Sequence, residues 1–154
     1  MKARTPRETL TEKIEIVLPQ HANAIGTAFG GTVMSWIDIC AAVAAQRHCG
    51  RVAVTASVDA LDFLSPLRVG DVAVLRAWVN AAFRTSLEVE CVVEREDTAT
   101  GARVLCVDAR LTFVNLGEDG KPIPVPGLTP ETDEEHARRE AAERRRAARL
   151  SARK

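Results

Sequence analysis

Along several stretches of this chain apolar residues alternate with polar ones, and in one stretch they fill almost every position. That contrast predicts the elements. Thr9–Leu18 carries Leu10, Ile14, Ile16 and Leu18 and reads as a first strand that stops at Pro19. A loop, Gln20–Phe29, follows, with Gly26 inside it and Gly30 and Gly31 at its end. From Gly31 to Arg47 the residues are small or apolar over helical length, and Gly50 closes the run. Beyond lie four β-type segments. Arg51–Leu64 alternates Val52, Val54, Ala56 and Val58, and a turn at Ser65–Gly70 leads into Asp71–Ala82. Arg84–Glu96 sets Leu87, Val89, Cys91 and Val93 against Ser86, Glu88, Glu90 and Glu94, a pattern with one face buried. Arg103–Leu116 repeats it with Leu105, Val107, Ala109, Leu111 and Phe113. One strand, one apolar helix and four strands of an antiparallel meander make an α+β fold. A helix apolar nearly all round belongs inside a curved sheet.

Charge divides the chain in two. Its 21 basic and 21 acidic residues cancel. From Glu131 to Lys154, however, there are eight bases and six acids, acids first and bases last, the order that complements a helix dipole. The body before it is mildly acidic. The tail's only large apolar residue is Leu150, so it has almost nothing to bury and reads as a solvated helix or frayed extension joined by a linker at Pro122–Pro130. The expected organisation is therefore one domain over residues 1–125 and a charged Ala/Glu/Arg-rich extension, helical or disordered, over 126–154.

Composition narrows the function. Six aromatics and no Tyr argue against base stacking on single-stranded nucleic acid, and zero net charge argues against a surface that tracks phosphate backbones. Ile16–Ile37 is uncharged but broken by Pro19, Gln20, Asn23 and three glycines, so no membrane span is expected. Met1–Glu15 is polar and lacks an apolar signal region, which makes cytoplasmic the default. Cys40, Cys49, Cys91 and Cys106 form no C-x-x-C pair and read as small buried hydrophobes. With His21, His48 and His136 equally scattered, no metal site is expected.

Between Ala22 and Gln46 the one charged residue is Asp38, in the middle of the apolar helix. Burial would raise the pKa of its carboxyl toward that of a useful base or nucleophile. Its helical neighbours Gly31, Met34, Ser35, Ala41 and Ala42 form a mostly small stripe with room for a ligand or another backbone. Gly30 and Gly31 open the same helix, where free amides and the positive dipole end can serve as an oxyanion hole. Yet Gly31 and Asp38 are seven residues apart, about 10 Å at ~1.5 Å per residue. One helix can hardly bring both to within ~3 Å of one reacting carbonyl. Two antiparallel helices related by a two-fold axis can, so a site built from these residues is shared across a dimer.

The run His21-Ala22-Asn23-Ala24-Ile25-Gly26-Thr27-Ala28-Phe29-Gly30-Gly31-Thr32-Val33-Met34-Ser35-Trp36-Ile37-Asp38 closely resembles the N-A-x-G-x-x-F-G-G-x-x-M-x-x-x-D signature of hotdog-fold acyl-CoA thioesterases of the cytosolic hydrolase type. The likeness continues through Gly50-Arg51-Val52, Val58–Pro66, Val69-Gly70-Asp71 and Arg84-Thr85-Ser86, and spans roughly residues 10–125. The tail from Glu131 lies outside it. The resemblance implies an antiparallel sheet of five to six strands around one central helix, in homodimers that assemble as a trimer of dimers. It also implies hydrolysis of acyl-CoA thioesters in fatty acid metabolism, with CoA entering as part of the substrate and no cofactor or metal. Asp38 matches the family's acidic residue, general base or nucleophile; Gly31, with Gly30, the carbonyl-polarising amides; and Asn23 the loop residue that orients substrate or water. Arg84 and Ser86 fall where members of the family approach CoA, although Phe83 stands where many have Gly.

Two competing readings follow from the same residues. Hotdog acyl-thioester dehydratases or hydratases pair a loop His with a helix acid, which His21 and Asp38 could imitate. A non-catalytic acyl-CoA-binding regulator would use the basic tail on nucleic acid, and the presence of Asp38 argues against it. The expected partners are acyl-CoA and further copies of the chain; neither nucleic acid nor a membrane is expected.

Overall fold

A computed structural model describes residues 1–153; Lys154, the last base of the tail, lies outside the described residues. A four-residue helix α1 (Pro6–Thr9) precedes strand β1 (Thr11–Ile16) and the long helix α2 (Gly30–Cys49). Strands β2 (Ala53–Phe63), β3 (Val72–Ala82), β4 (Ser86–Glu96) and β5 (Arg103–Asn115) follow, and helix α3 (Asp133–Ala152) ends the chain. Each strand and the apolar helix fall where the hydrophobic pattern puts them. The added helix α1 is set by a capping box, Thr5 accepting from Glu8 N–H and Glu8 reaching back to Thr5 N–H, with Pro6 at the first helical position. Gly50 ends α2 in the left-handed region at φ 71°, its N–H on the Gln46 carbonyl.

The strands form one antiparallel sheet in the order β1-β3-β4-β5-β2. Only β3, β4 and β5 are a meander. β2 pairs with β5 at the far edge and not with its successor β3, which corrects the expectation of a four-strand meander. The cause is the connection Leu64–Asp71. It is too long for a tight hairpin, carries Pro66 and a left-handed Gly70, and hydrogen-bonds instead to the Gln20–Phe29 loop through Ala28 N–H on Leu67 O and Val69 N–H on Gly26 O.

The concave face wraps α2, which buries Val33, Trp36, Ile37, Cys40, Ala41, Ala44 and Ala45 against Leu75, Val79, Leu87, Val89, Leu111 and Phe113. This is the hotdog arrangement, with five strands. The cysteines are free, and Cys40, Cys91 and Cys106 are buried as small hydrophobes. Burial pushes the Cys49 thiol up to about 11.

The convex face holds the larger surprise. The tail forms α3, started by a capping box between Thr132 and Glu135, and lies across that face instead of standing in solvent. What it covers is polar. Glu88 and Glu90, on the solvent side of the strand by pattern, are 1% and 8% exposed. Arg145 donates two hydrogen bonds to Glu88, both 2.8 Å. Asn80 bridges Glu88 and Glu90 through Nδ2, and Trp78 Nε1 donates to Asn80 Oδ1. Arg149 reaches Asp59 of β2 at 2.6 Å, and the Arg138 guanidinium lies 4.5 Å from the centre of the Trp78 ring. A search for apolar residues misses such packing, because the contacts are a forked charge pair, a single ion pair and a cation over an aromatic face.

The Pro122–Pro130 segment is likewise pinned. Val125 and Leu128 join the core, and Asn115 Nδ2 donates to the Pro124 carbonyl. At the end of α2, buried His48 bonds the Pro126 carbonyl through Nε2 at 2.6 Å. The carbonyl is an acceptor, so Nε2 carries the proton, and buried Nδ1 has no partner among the described residues. Desolvation holds this imidazole's pKa below the ordinary histidine value.

Candidate active site

The sheet does not close around α2. One flank of the helix stays open, with Met34, Ile39 and Val43 facing outward, and edge strand β2 adds exposed Val54, Val58 and Phe63. Asp38 sits on this flank and is exposed in the single chain, not enclosed in the core as the apolar surroundings in sequence suggested. The stripe Gly31–Met34–Ser35–Asp38 points past the edge of the sheet, because the wider apolar stripe of α2 faces the core.

That stripe forms one wall of a groove with about 360 Å³ of free space. Thr55, Val58 and Leu61 of β2 and Leu111 of β5 form the other. Gly31 and Asp38 thus line the same groove, toward opposite ends. Thr55 Oγ1 donates to Asp38 Oδ1 at 2.6 Å, which fixes the carboxylate and leaves Oδ2 for another donor. Thr55 is a site residue that sequence reasoning missed. It looked like one polar position in an alternating strand, and only the fold shows it facing the helix acid. A bulge follows it directly, as the register on β5 shifts between Thr55 and Ser57.

The helix terminus is available to a ligand. Among the described residues no side chain caps α2, and Val33 N–H is the first to bond a helical carbonyl, that of Phe29 at 3.1 Å. The amides of Gly30, Gly31 and Thr32 are therefore the free donors of the first turn. A Cβ on Gly31 would meet nothing within 4 Å in its own chain, and one on Gly30 only the Phe63 ring at 3.5 Å. A second groove of about 300 Å³, with Thr27, Ala28, Phe63, Ser65 and Pro66 among its lining, flanks the same terminus on the other side of Phe63.

The loop residues are committed to building the entry to α2. Asn23 Oδ1 accepts from the N–H groups of Ile25 and Thr27, and Nδ2 donates to Thr27 Oγ1 at 2.8 Å, leaving one amide hydrogen unused. His21 Nδ1 accepts from Leu18 N–H at 3.0 Å while its ring meets Trp36 edge-on at 5.1 Å. His21 is thus a loop hydrogen-bonder, and among the described residues it has no hydrogen bond to Asp38. Arg84 and Ser86 lie apart from this groove, at the β3–β4 turn: the Arg84 side chain is exposed, and its carbonyl accepts from Val125 N–H. Among the described residues no three His, Cys, Asp or Glu side chains converge as a metal-holding group.

The arrangement has a fixed acid that can accept a proton, free amides at a positive helix end, and apolar space beside both. A model of the thioesterase superfamily matches residues 25–102. An uncharacterised acyl-CoA thioester hydrolase of Bacillus subtilis is 42% identical over 134 residues, 87% of this chain and 78% of that one. An acyl-CoA hydrolase of Staphylococcus aureus, solved with butyryl-CoA, CoA and CoA disulfide, superposes with a TM-score of 0.93 at 38% identity, over 98% of this chain and 92% of its own. That protein has also been solved with an aspartate, an asparagine or a threonine replaced by alanine. An apo-hexameric acyl-CoA thioesterase superposes equally well, with a TM-score of 0.93 at 38% identity over 99% of this chain and 97% of that one. Coverage of this extent takes in the tail, which the sequence resemblance did not reach. Against the mammalian acyl-CoA thioesterases it matches, the chain spans only a quarter to a third of their length.

Proposed function

The chain belongs to the thioesterase superfamily, and from that premise we propose that it hydrolyses acyl-CoA thioesters to CoA and the free acid at a site shared by two subunits. The observation that carries the reading is the Gly31–Asp38 groove, with Thr55 holding the acid. Asp38 Oδ2 takes a proton from water, which attacks the thioester carbonyl as general-base catalysis requires. The carbonyl oxygen becomes an oxyanion, and the Gly31 amide of the facing subunit, with the helix dipole behind it, receives that charge. Collapse expels CoA as its thiol, the proton returning from Asp38. Asn23 acts at the mouth, where its unused amide hydrogen can reach water or the carbonyl. Two apolar grooves meeting at the α2 terminus suit a substrate with two arms, one acyl and one pantetheine. Water is the co-substrate, and CoA arrives as part of the substrate.

The open apolar flank of α2 and β2 supports a homodimer through that face, and the about 10 Å between Gly31 and Asp38 along one helix supports the sharing. Hexameric relatives support three such dimers as the assembly. No helix of the described residues is long and apolar enough to cross a membrane. We assign the enzyme to the cytoplasm on its similarity to mammalian hydrolases named cytosolic. His21 accepts from Leu18 N–H through Nδ1 and, among the described residues, makes no hydrogen bond to Asp38, which favours the hydrolase over a dehydratase that pairs the two.

Free-thiol release over a panel of acyl-CoAs tests the activity; a folded wild-type protein that turns over none of them refutes it. Subunit mixing tests the sharing. Asp38→Asn removes the base, and Gly31→Pro removes the amide at a helix position that tolerates proline. Each variant alone should be inactive, whereas random re-association should restore about a quarter of wild-type activity, because half the dimers carry one intact site. No recovery would show that both groups act from one chain.

A further inference from the structure

In β4 the residues that face the core alternate through Leu87, Val89, Cys91 and Val93, and the next position in that register is Arg95. Its cross-strand partner on β3 is Ala73, which belongs to the core. The strand therefore aims a half-buried guanidinium at the concave rim of the sheet, where the pattern calls for an apolar side chain. Arg95 forms no ion pair among the described residues, although acids stand near it. Asp71, Glu96 and Asp97 line a groove with it, but Asp71 accepts from Arg68 N–H, Glu96 from the Arg103 guanidinium and Asp97 from Ala99 N–H. Arg95 turns instead to the connection between β2 and β3. Its Nη1 donates to the Pro66 carbonyl at 2.7 Å and to Ser65 Oγ at 3.4 Å, and lies 3.9 Å from Cys106 Sγ. Cys106 is an extra residue in β5, since the register on β4 shifts between Val93 and Glu94. Its carbonyl accepts from Leu64 N–H at 2.8 Å and from Ser65 N–H at 3.3 Å. One guanidinium and one bulge thus grip the Leu64–Pro66 corner together.

We infer that Arg95 is a positioning residue for the hydrolysis, acting through the Leu64–Asp71 connection to set the amide end of α2. The inference rests on the proposed thioester chemistry at that end. The corner that Arg95 holds is a wall of the groove beside Phe63. The next residue along, Leu67, accepts from Ala28 N–H at 2.7 Å through its carbonyl. Arg68 bridges to Thr27, and Val69 N–H donates to the Gly26 carbonyl at 3.2 Å. Ala28 stands two residues before Gly30, so these contacts carry the position of the connection into the loop that holds Asn23 and delivers the free amides of Gly30 and Gly31. The connection belongs to no helix or strand, and its anchors decide where it sits. A guanidinium suits the task, because its donors form a fixed planar fork that never loses its charge. Arg95 does not line the Gly31–Asp38 groove, so its effect falls on geometry and not on the reacting atoms. A misplacement of about 1 Å in such a site can cost about a hundredfold in rate.

Arg95→Met keeps the apolar stem and removes the donors. Thiol release by the full-length protein, with an acyl-CoA that wild type hydrolyses, should show kcat lower by about tenfold or more and KM within about twofold, the signature of a lost transition-state contact. Arg95→Lys supplies one point donor in place of the fork and should recover part of kcat. It also keeps the test valid if the Met variant fails to fold, its own kcat then lying below wild type with KM unchanged. Arg76→Met loses a comparable partner, Glu94, on the opposite face of the sheet, and should keep the wild-type kcat. Backbone hydrogen exchange over residues 22–29 should quicken in Arg95→Met and not in Arg76→Met. An unchanged kcat, a rise in KM alone, an equal fall of kcat in Arg76→Met, or unchanged exchange in the loop overturns the proposal. Exchange needs no turnover, so the two readings fail separately. Wild type without turnover sinks the hydrolase, whereas quickened exchange still shows the link from Arg95 to the amide end of α2.

Discussion

Arg145→Ala should destabilise the protein far more than loss of a surface arginine does. Glu88 beneath it is 1% exposed and accepts three hydrogen bonds, two from Arg145 and one from Asn80. Truncation leaves a buried carboxylate with one neutral donor, and that donor is shared with a second carboxylate, Glu90. Breaking a buried pair on one side costs about 3–5 kcal/mol. The Arg145 side chain is 30% exposed, so water can enter the gap and the expected loss is about 2–3 kcal/mol. For a chain of this size that lowers Tm by roughly 5–10 °C. Glu88→Gln removes the charge that needs compensation, so Arg145→Ala in that background should cost only about 1 kcal/mol. The coupling read from the double-mutant cycle is then about 1–2 kcal/mol. Urea unfolding at fixed protein concentration measures it, with Trp78 as an internal reporter because its Nε1 bonds Asn80. A change below about 0.5 kcal/mol for Arg145→Ala, the range of ordinary surface substitutions, would mean that α3 only rests on the sheet.

Thr55→Val keeps the shape of the groove and removes the donor to Asp38; kcat in the thiol-release assay should fall about tenfold or more with KM little changed, and an unchanged kcat would remove Thr55 from the site. Gly31→Ala meets open space in its own chain, so thermal melts should show a protein at least as stable as wild type, while thiol release drops because the methyl meets substrate or the facing subunit. A single turnover in water enriched in heavy oxygen should put the label in the released acid if Asp38 acts as base; an unlabelled first product would make Asp38 the nucleophile. His48 has a folded pKa below its unfolded value of about 6.5, so the unfolded chain binds the proton more readily. Its contribution is therefore complete above about 6.5 and declines as pH falls below it, and urea midpoints across that range should flatten in His48→Gln.

What could be read from the sequence was what hydrophobic periodicity encodes. The alternation of Leu87, Val89, Cys91 and Val93 and the continuous apolar run after Gly31 report which faces meet the core, and they placed β4 and α2 to within a residue or two. The helix spacing between Gly31 and Asp38 already pointed to a second subunit if both serve one site, since the rise per residue is the same in every helix. Strand order was not legible. Whether β2 pairs with β3 or with β5 depends on where the Leu64–Asp71 connection docks, and its hydrogen bonds run to a loop forty residues earlier. Nor was Thr55 legible, because nothing local separates a hydroxyl facing an acid from one facing water.

The tail failed to be legible for a deeper reason. Hydrophobic patterning assumes that a buried face is an apolar one, whereas the convex face is covered through ion pairs, one of them forked, whose halves lie 57 and 90 residues apart in the chain. Each half alone looks solvated: Glu88 and Glu90 as the wet side of a strand, Arg145 and Arg149 as a charged helix. Only their complementarity marks them, and it shows once the fold sets α3 over β3, with its arginines reaching β4 and β2. The same complementarity separates arginines that hold the helix from those that do not. Arg145 and Arg149 dock α3 on Glu88 and Asp59, whereas among the described residues Arg144 and Arg146 of the same helix have no carboxylate within 4 Å.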